Sequence, residues 1–178
     1  MASYPHLNAL CGAISTGDPN DDIHAKIIPY LIDIWLSDYS RNSSDREIVE
    51  TTASGFSYLF DIGQQRLLAA WGISRGKNTE ARPKSRMAGH PLGGDRHYHR
   101  GHTIPHTLGG PTDINLVPQR GSVNVGPFRV LEIEAVATPG ALYFTYWSYA
   151  ASGDQRPNGV DQGLIVIGKK PRIIRHLN

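Results

Sequence analysis

Between Gly94 and Glu132 the chain reads G-D-R-H-Y-H-R-G-H-T-I-P-H-T-L-G-G-P-T-D-I-N-L-V-P-Q-R-G-S-V-N-V-G-P-F-R-V-L-E, and four of its eight histidines (His97, His99, His102, His106) lie in the first third of that stretch. An imidazole with a pKa near its ordinary value accepts a proton at neutral pH, so His102 is a candidate general base. The guanidinium of Arg100 is a rigid fork that matches phosphate oxygens. Asn124 offers a neutral carboxamide oxygen, which suits a hard cation such as Mg2+ that keeps most of its waters. Glu132 follows Asn124 by eight residues. On an ideal helix that places it roughly 12 Å along the axis and about 80° around it, too far to share one ion directly. Each residue also has a plainer reading. His102 can be structural, Arg100 half of a surface ion pair, Asn124 a helix cap and Glu132 part of a solvated face. A zinc site would need a common ligand spacing, and the 97/99/102/106 pattern matches none and has no cysteine beside it.

These residues need elements to hold them. Gly101, Gly109-Gly110-Pro111 and Gly121 are turn signals that cut the stretch into a strand-like piece ending at His102, a second at Ile114–Pro118, and a helical piece around Val125–Ala137. Strand, loop, strand, helix is a compact unit that brings a histidine, an asparagine and a glutamate towards one another. Pro127 is tolerated only in a first helical turn, so the helix is expected to begin between Ser122 and Gly126, with Asn124 at its start.

Three motifs in this order carry a resemblance. Arg100-Gly101-His102 resembles the end of a D-R-G-H motif, Asn115-Leu116-Val117-Pro118-Gln119 an N-x-x-P-Q strand, and Asn124 through Glu132 an N-x-G-x-aromatic-x-x-L-E helix start. All three belong to the DNA/RNA non-specific endonucleases, a branch of the ββα-metal (His-Me finger) nucleases. The His-rich opening and the Leu108-Gly109-Gly110 step look closer to toxin-type members. The similarity runs from about Arg86 to Asp161, and His99 stands where the family has Asp. The resemblance implies an α+β fold with a ββα-metal core over 86–168, antiparallel strands and additional N-terminal helices. It implies a metal-dependent, sequence-tolerant endonuclease acting on DNA, RNA or both. In it His102 is the base, Arg100 contacts phosphate, Asn124 ligates Mg2+ (or Mn2+) and Glu132 holds a metal-bound water. Asn115 is counted with the catalytic set beside His102, and with Gln119 would tie the second strand to the His102 loop. Arg86, Arg96 and Arg120 are candidate contacts to the nucleic-acid backbone. As scattered basic residues they can equally be solvated. The alternative is a catalytically weakened nuclease-like module that binds nucleic acid or a protein partner, which the His99 departure favours.

The bulk properties permit this reading without demanding it. A chain of 178 residues can bury one core, and a net charge of +2 accommodates a polyanion. The single cysteine, Cys11, excludes an internal disulfide. No basic segment precedes an apolar run at the N-terminus, and no apolar run is long enough to span a membrane. An unsignalled nuclease domain of this size would fit a toxin or effector held in check by an immunity or inhibitor protein, or a piece of a longer chain.

Elsewhere the patterns are coarser. Residues 1–178 are expected to form a single domain, with a largely helical part of unassigned role over 1–80. Asp21 or Asp22 is expected to cap a helix running to about Asp38, with a kink or late start at Pro29. Arg46–Ala53 is expected to be helical or mixed, Phe56–Ile62 a strand, and Gln64–Ile73 a short helix through Leu67, Leu68 and Trp71. Arg75–Arg86 is expected to be a solvated basic loop. Ala141–Ala150, rich in aromatic residues, and Leu164–Ile167 are expected strands, extended by Ile173-Ile174. The segment Ser152–Gly163 between them is expected to be turns.

Overall fold

The computed structural model describes residues 2–14, 19–43, 47–81, 91 and 95–178. Its framework is a six-stranded antiparallel sheet, in the order β1-β2-β3-β6-β7-β8. The strands are β1 (Ile48–Ala53), β2 (Phe56–Asp61), β3 (Arg66–Ile73), β6 (Leu142–Ser148), β7 (Gly159–Ile165) and β8 (Arg172–Leu177). Between β3 and β6 the chain leaves the sheet and builds a separate two-stranded ladder, β4 (Tyr98–His102) with β5 (Leu116–Arg120), followed by α4 (Gly121–Asn124) and α5 (Phe128–Ala137).

The central strand β6 is buried along its whole length, and its alternation assigns the two faces of the sheet. Phe144 and Tyr146 meet Trp35, which comes from the N-terminal helices. Those are α1 (Leu7–Gly12), α2 (Pro19–Asp22) and α3 (Ile28–Tyr39). On the opposite face, Trp147 packs on Phe128 of α5, and the Thr145 hydroxyl donates to the carbonyl of Thr103 just after β4. Gln162 of β7, on that same face, donates to the carbonyl of Phe128. The strand–strand–helix unit is thus seated on one face of the sheet and the N-terminal helices on the other.

Buried polar groups pin the outer elements. Arg66 lies against the rings of Tyr39 and Tyr149 and donates to the Tyr39 hydroxyl and to the carbonyls of Ala151 and Asp154. Burial works to raise the Asp61 carboxyl. Hydrogen bonds from Tyr39 and from the amides of Gln64 and Glu47, with Arg66 nearby, outweigh it and hold the group below its usual range. The Tyr4 hydroxyl donates to Asp161, which ties the N-terminus to β7.

Several sequence expectations need correction. Arg66–Ile73 is the third strand, not a helix. It is buried on both faces, so its apolar residues run on without alternation and mimic helical spacing. Ile48–Ala53 is the edge strand β1; its β-branched Ile48, Val49, Thr51 and Thr52 were the missed signal. Among the described residues up to 80, helix is therefore confined to the part ending at Tyr39. Gly159–Gly163, expected as turns, belongs to β7. Pro29 is accommodated by a π-helical turn over Ile23–Ile27, which closes an Ile28 N–H to Ile23 C=O bond and leaves proline in the first turn of α3. The helix around Asn124 is two pieces, α4 and α5, with Pro127 between them at the start of α5.

Candidate functional site

The β4–β5 ladder sets the site. Its register pairs Tyr98 with Arg120, Arg100 with Pro118 and His102 with Leu116. Alternation puts Tyr98, Arg100 and His102 on one face of β4. Gly101 lies between them on the other face, where the Gln119 side chain rests on it. A Cβ there would meet the Gln119 Oε1 at 2.3 Å, so only glycine fits without displacing the amide. Gln119 is fully buried, and its amide atoms have no hydrogen-bond partner among the described residues.

The strand then turns through Thr103 and Ile104, and Asn115 fixes that turn. Its Oδ1 accepts from the Thr103 hydroxyl and from the Ile104 N–H at 2.7 Å, and its Nδ2 donates to the carbonyls of Ile104 at 2.6 Å and Pro111 at 3.0 Å. Asn115 is fully buried. Its amide is engaged by the loop, so the residue holds the segment that follows His102 and lies outside the cleft described next.

Arg100, His102, Asn124 and Glu132 line one cleft of about 270 Å3, together with His106 and Arg129. They arrive from β4, the 3-10 turn at His106–Leu108, α4 and α5. The break between α4 and α5 matters here. It removes the continuous-helix geometry expected from the spacing of Asn124 and Glu132 and lets both residues face the same depression. His102 is 7% exposed, at the floor of the cleft, and its ring centroid lies 6.2 Å from that of His106. His106 Nε2 meets the Glu80 carbonyl at 3.0 Å, an acceptor that fixes the proton on that nitrogen. Asn124 has its Nδ2 3.4 Å from Nδ1 of the exposed His99 ring. With the amide so oriented, Oδ1 is the atom left for a cation. Gly121 makes room for that ring, because a Cβ there would lie 2.8 Å from His99 Nε2.

The other sequence candidates lie elsewhere. Arg96 is in the turn before β4, where its Nε donates to His97 Nε2 at 3.3 Å. Arg120 ends β5 and lines two grooves beyond α4. Neither borders the cleft, and Arg86 falls outside the described residues. Arg129 and His106 were not singled out for the cleft. The signal for Arg129 was its position three residues before Glu132, on the same helical face.

As to a metal, no group of three or more His, Cys, Asp or Glu able to hold an ion occurs among the described residues. The cleft offers one carboxamide oxygen and one carboxylate instead. That donor set suits a hard, largely hydrated ion rather than a protein-caged one. Among the described residues no helix is long and apolar enough to cross a membrane.

No protein-family model matches the sequence, and no curated protein matches it. The fold is nevertheless shared with NucA from Streptococcus agalactiae. The NucA structure with no metal bound superposes with a TM-score of 0.53 at 15% identity, over 80% of this chain and 87% of that one. The NucA structure with a magnesium ion bound gives the same TM-score and identity, over 80% and 89%. The chain is thus a mixed α/β protein with antiparallel sheets that has the NucA fold.

Proposed function

We propose that this chain is a Mg2+-dependent, sequence-tolerant endonuclease that hydrolyses phosphodiester bonds of DNA, RNA or both, with β4, β5 and α5 as a ββα-metal core. One observation carries the reading: Arg100, His102, Asn124 and Glu132, supplied by three separate elements, line a single cleft. The fold likeness to NucA, one of whose structures holds a magnesium ion, supports it.

In the reaction a water oxygen forms a bond to phosphorus and an ester P–O bond breaks. His102 takes the proton of the attacking water, and the leaving oxygen is protonated from solvent. Arg100 grips the phosphate oxygens with its fork, and Arg129 adds a second positive charge to the cleft. Asn124 Oδ1 would hold the ion, and Glu132 would orient water beside it. When bound, Mg2+ supplies charge neutralisation at the phosphate as a Lewis acid.

The test is direct. Purified protein should degrade plasmid DNA or RNA with Mg2+ and stop with EDTA. His102→Ala should lower kcat by about 10²–10⁴, and Asn124→Ala should remove the Mg2+ dependence along with activity. Metal-independent cleavage, or His102→Ala as active as wild type, ends the proposal. Such an activity harms its host, so we read the domain as a toxin or effector with an immunity or inhibitor protein. Expression should be toxic unless that partner is present.

A second reading, a nuclease-like binding module, has one specific support: the His99 ring beside Asn124, where the resembling family has Asp. Nucleic-acid binding without cleavage at any Mg2+ or Mn2+ concentration would favour it.

A further inference from the structure

Beyond α4 lie two adjoining grooves of about 510 and 440 Å3 that share Tyr98, Arg120 and Arg156. The Arg156 guanidinium sits over the Tyr98 ring, 4.9 Å from its centroid. Tyr98 shares a strand face with Arg100 and His102, and Arg120 is its partner across the ladder. Both arginines therefore continue the row that leads out of the cleft. From Tyr98 to His102 is about 13 Å along the strand, a span of about two phosphates on an extended single strand. α4 is the divide, with Ser122 bordering the outer groove and Asn124 the cleft.

Two arginines and two carboxylates line these grooves, and the arginines are the groups not already engaged by their own turn. Asp95 and Asp154 border these grooves, but each carboxylate accepts a bond from its own turn, from the His97 N–H at 2.8 Å and the Ala151 N–H at 2.9 Å. Among the described residues neither Arg120 nor Arg156 forms an ion pair. The backbone beneath them is fixed. Asn178 Oδ1 accepts the Arg120 N–H at 2.7 Å, and its Nδ2 donates to the carbonyls of Pro118 and Pro157. Arg156 is thus held flat on an aromatic ring, and Arg120 rises from a fixed backbone beside it.

We propose that Arg120 and Arg156 form a second phosphate-binding subsite, which engages the flanking strand of nucleic-acid substrates long enough to reach it. The proposal rests on the nuclease reading of the neighbouring cleft, but binding tests it without turnover. In a His102→Ala background with EDTA, the Arg120→Ala/Arg156→Ala double variant should bind a fluorescent single strand of about 20 nucleotides at least fivefold more weakly. The slope of log Kd against log salt should fall by about 1.4, two contacts at about 0.7 each. Arg156→Lys, which keeps the charge and loses the planar stack, should retain most of the slope. In the His102 enzyme, the double substitution should raise KM for the long strand while leaving kcat/KM for a dinucleotide, whose single phosphate occupies the cleft, unchanged. An unchanged slope, or an equal loss on short and long substrates, overturns the subsite. Equal weakening towards polyglutamate would assign the patch to acidic protein instead and also overturns it. If wild type cleaves nothing, the nuclease reading fails, and the salt slope still decides the subsite. An unchanged melting temperature excludes misfolding as the cause.

Discussion

Asn115 separates a positioning role from a catalytic one, and Asn115→Ala is the substitution that does so. The change removes the acceptor of the Thr103 hydroxyl and the Ile104 N–H, and the donor to the Ile104 and Pro111 carbonyls. Thr103 and Ile104 are fully buried, so water cannot replace what is lost. Pro111 is only partly buried, so its carbonyl can turn to solvent, and the Thr103 hydroxyl can rotate. The N–H and C=O of Ile104 remain, each costing about 1–3 kcal/mol when left buried and unpaired, with further loss from the vacated space. The expected destabilisation is about 3–5 kcal/mol, a large part of a domain's roughly 5–15 kcal/mol. For a chain of this size that lowers Tm by about 6–20 °C. Thermal unfolding by circular dichroism reads this directly. Asn115→Asp keeps the acceptor but turns a charged oxygen towards the Ile104 and Pro111 carbonyls, which raises the pKa of that carboxyl. Its stability should therefore fall as pH rises through that raised value and recover in part below about pH 4, where a proton restores a donor. A variant Asn115→Ala that melts with wild type would refute the structural assignment. If it also lost kcat, Asn115 would be acting on substrate.

Two further outcomes are expected. Gly121→Ala should push the exposed His99 ring away and disturb its contact with Asn124. Cleavage in Mg2+ should drop several-fold with a stability change under about 0.5 kcal/mol, and a variant with full activity would show that His99 does not position Asn124. His176 is buried against Phe128 at 5.4 Å, and burial lowers its pKa. The unfolded chain then binds the proton first, so stability is full above about pH 6.5 and is lost as pH falls towards the lowered native value. His176→Gln should flatten that part of the Tm–pH curve, and an unchanged curve would remove His176 as its source.

The order of chemical groups was legible in the sequence, because motif spacing and turn glycines are local properties. Arg100, His102, Asn124 and Glu132 were named from them, as were the strand of Ala141–Ala150 and the helix after Pro29. The sheet that carries the site was less legible. Arg66–Ile73 reads as a helix because a strand covered on both faces loses its alternation, and coverage is a fact about neighbours distant in sequence. That Asn124 and Glu132 belong to one site was legible in their motif, but the backbone between them was not. The expected single helix is two, α4 and α5, with Pro127 at the break and Phe128 packed on Trp147 and His176. Asn115 was named with the catalytic set, yet only burial and four directed hydrogen bonds show what its amide holds. The nearness of Arg156 to Tyr98 comes from a loop more than 50 residues away along the chain. Residue types set which chemistry was available. Long-range packing, which no local pattern encodes, decided which groups share a space.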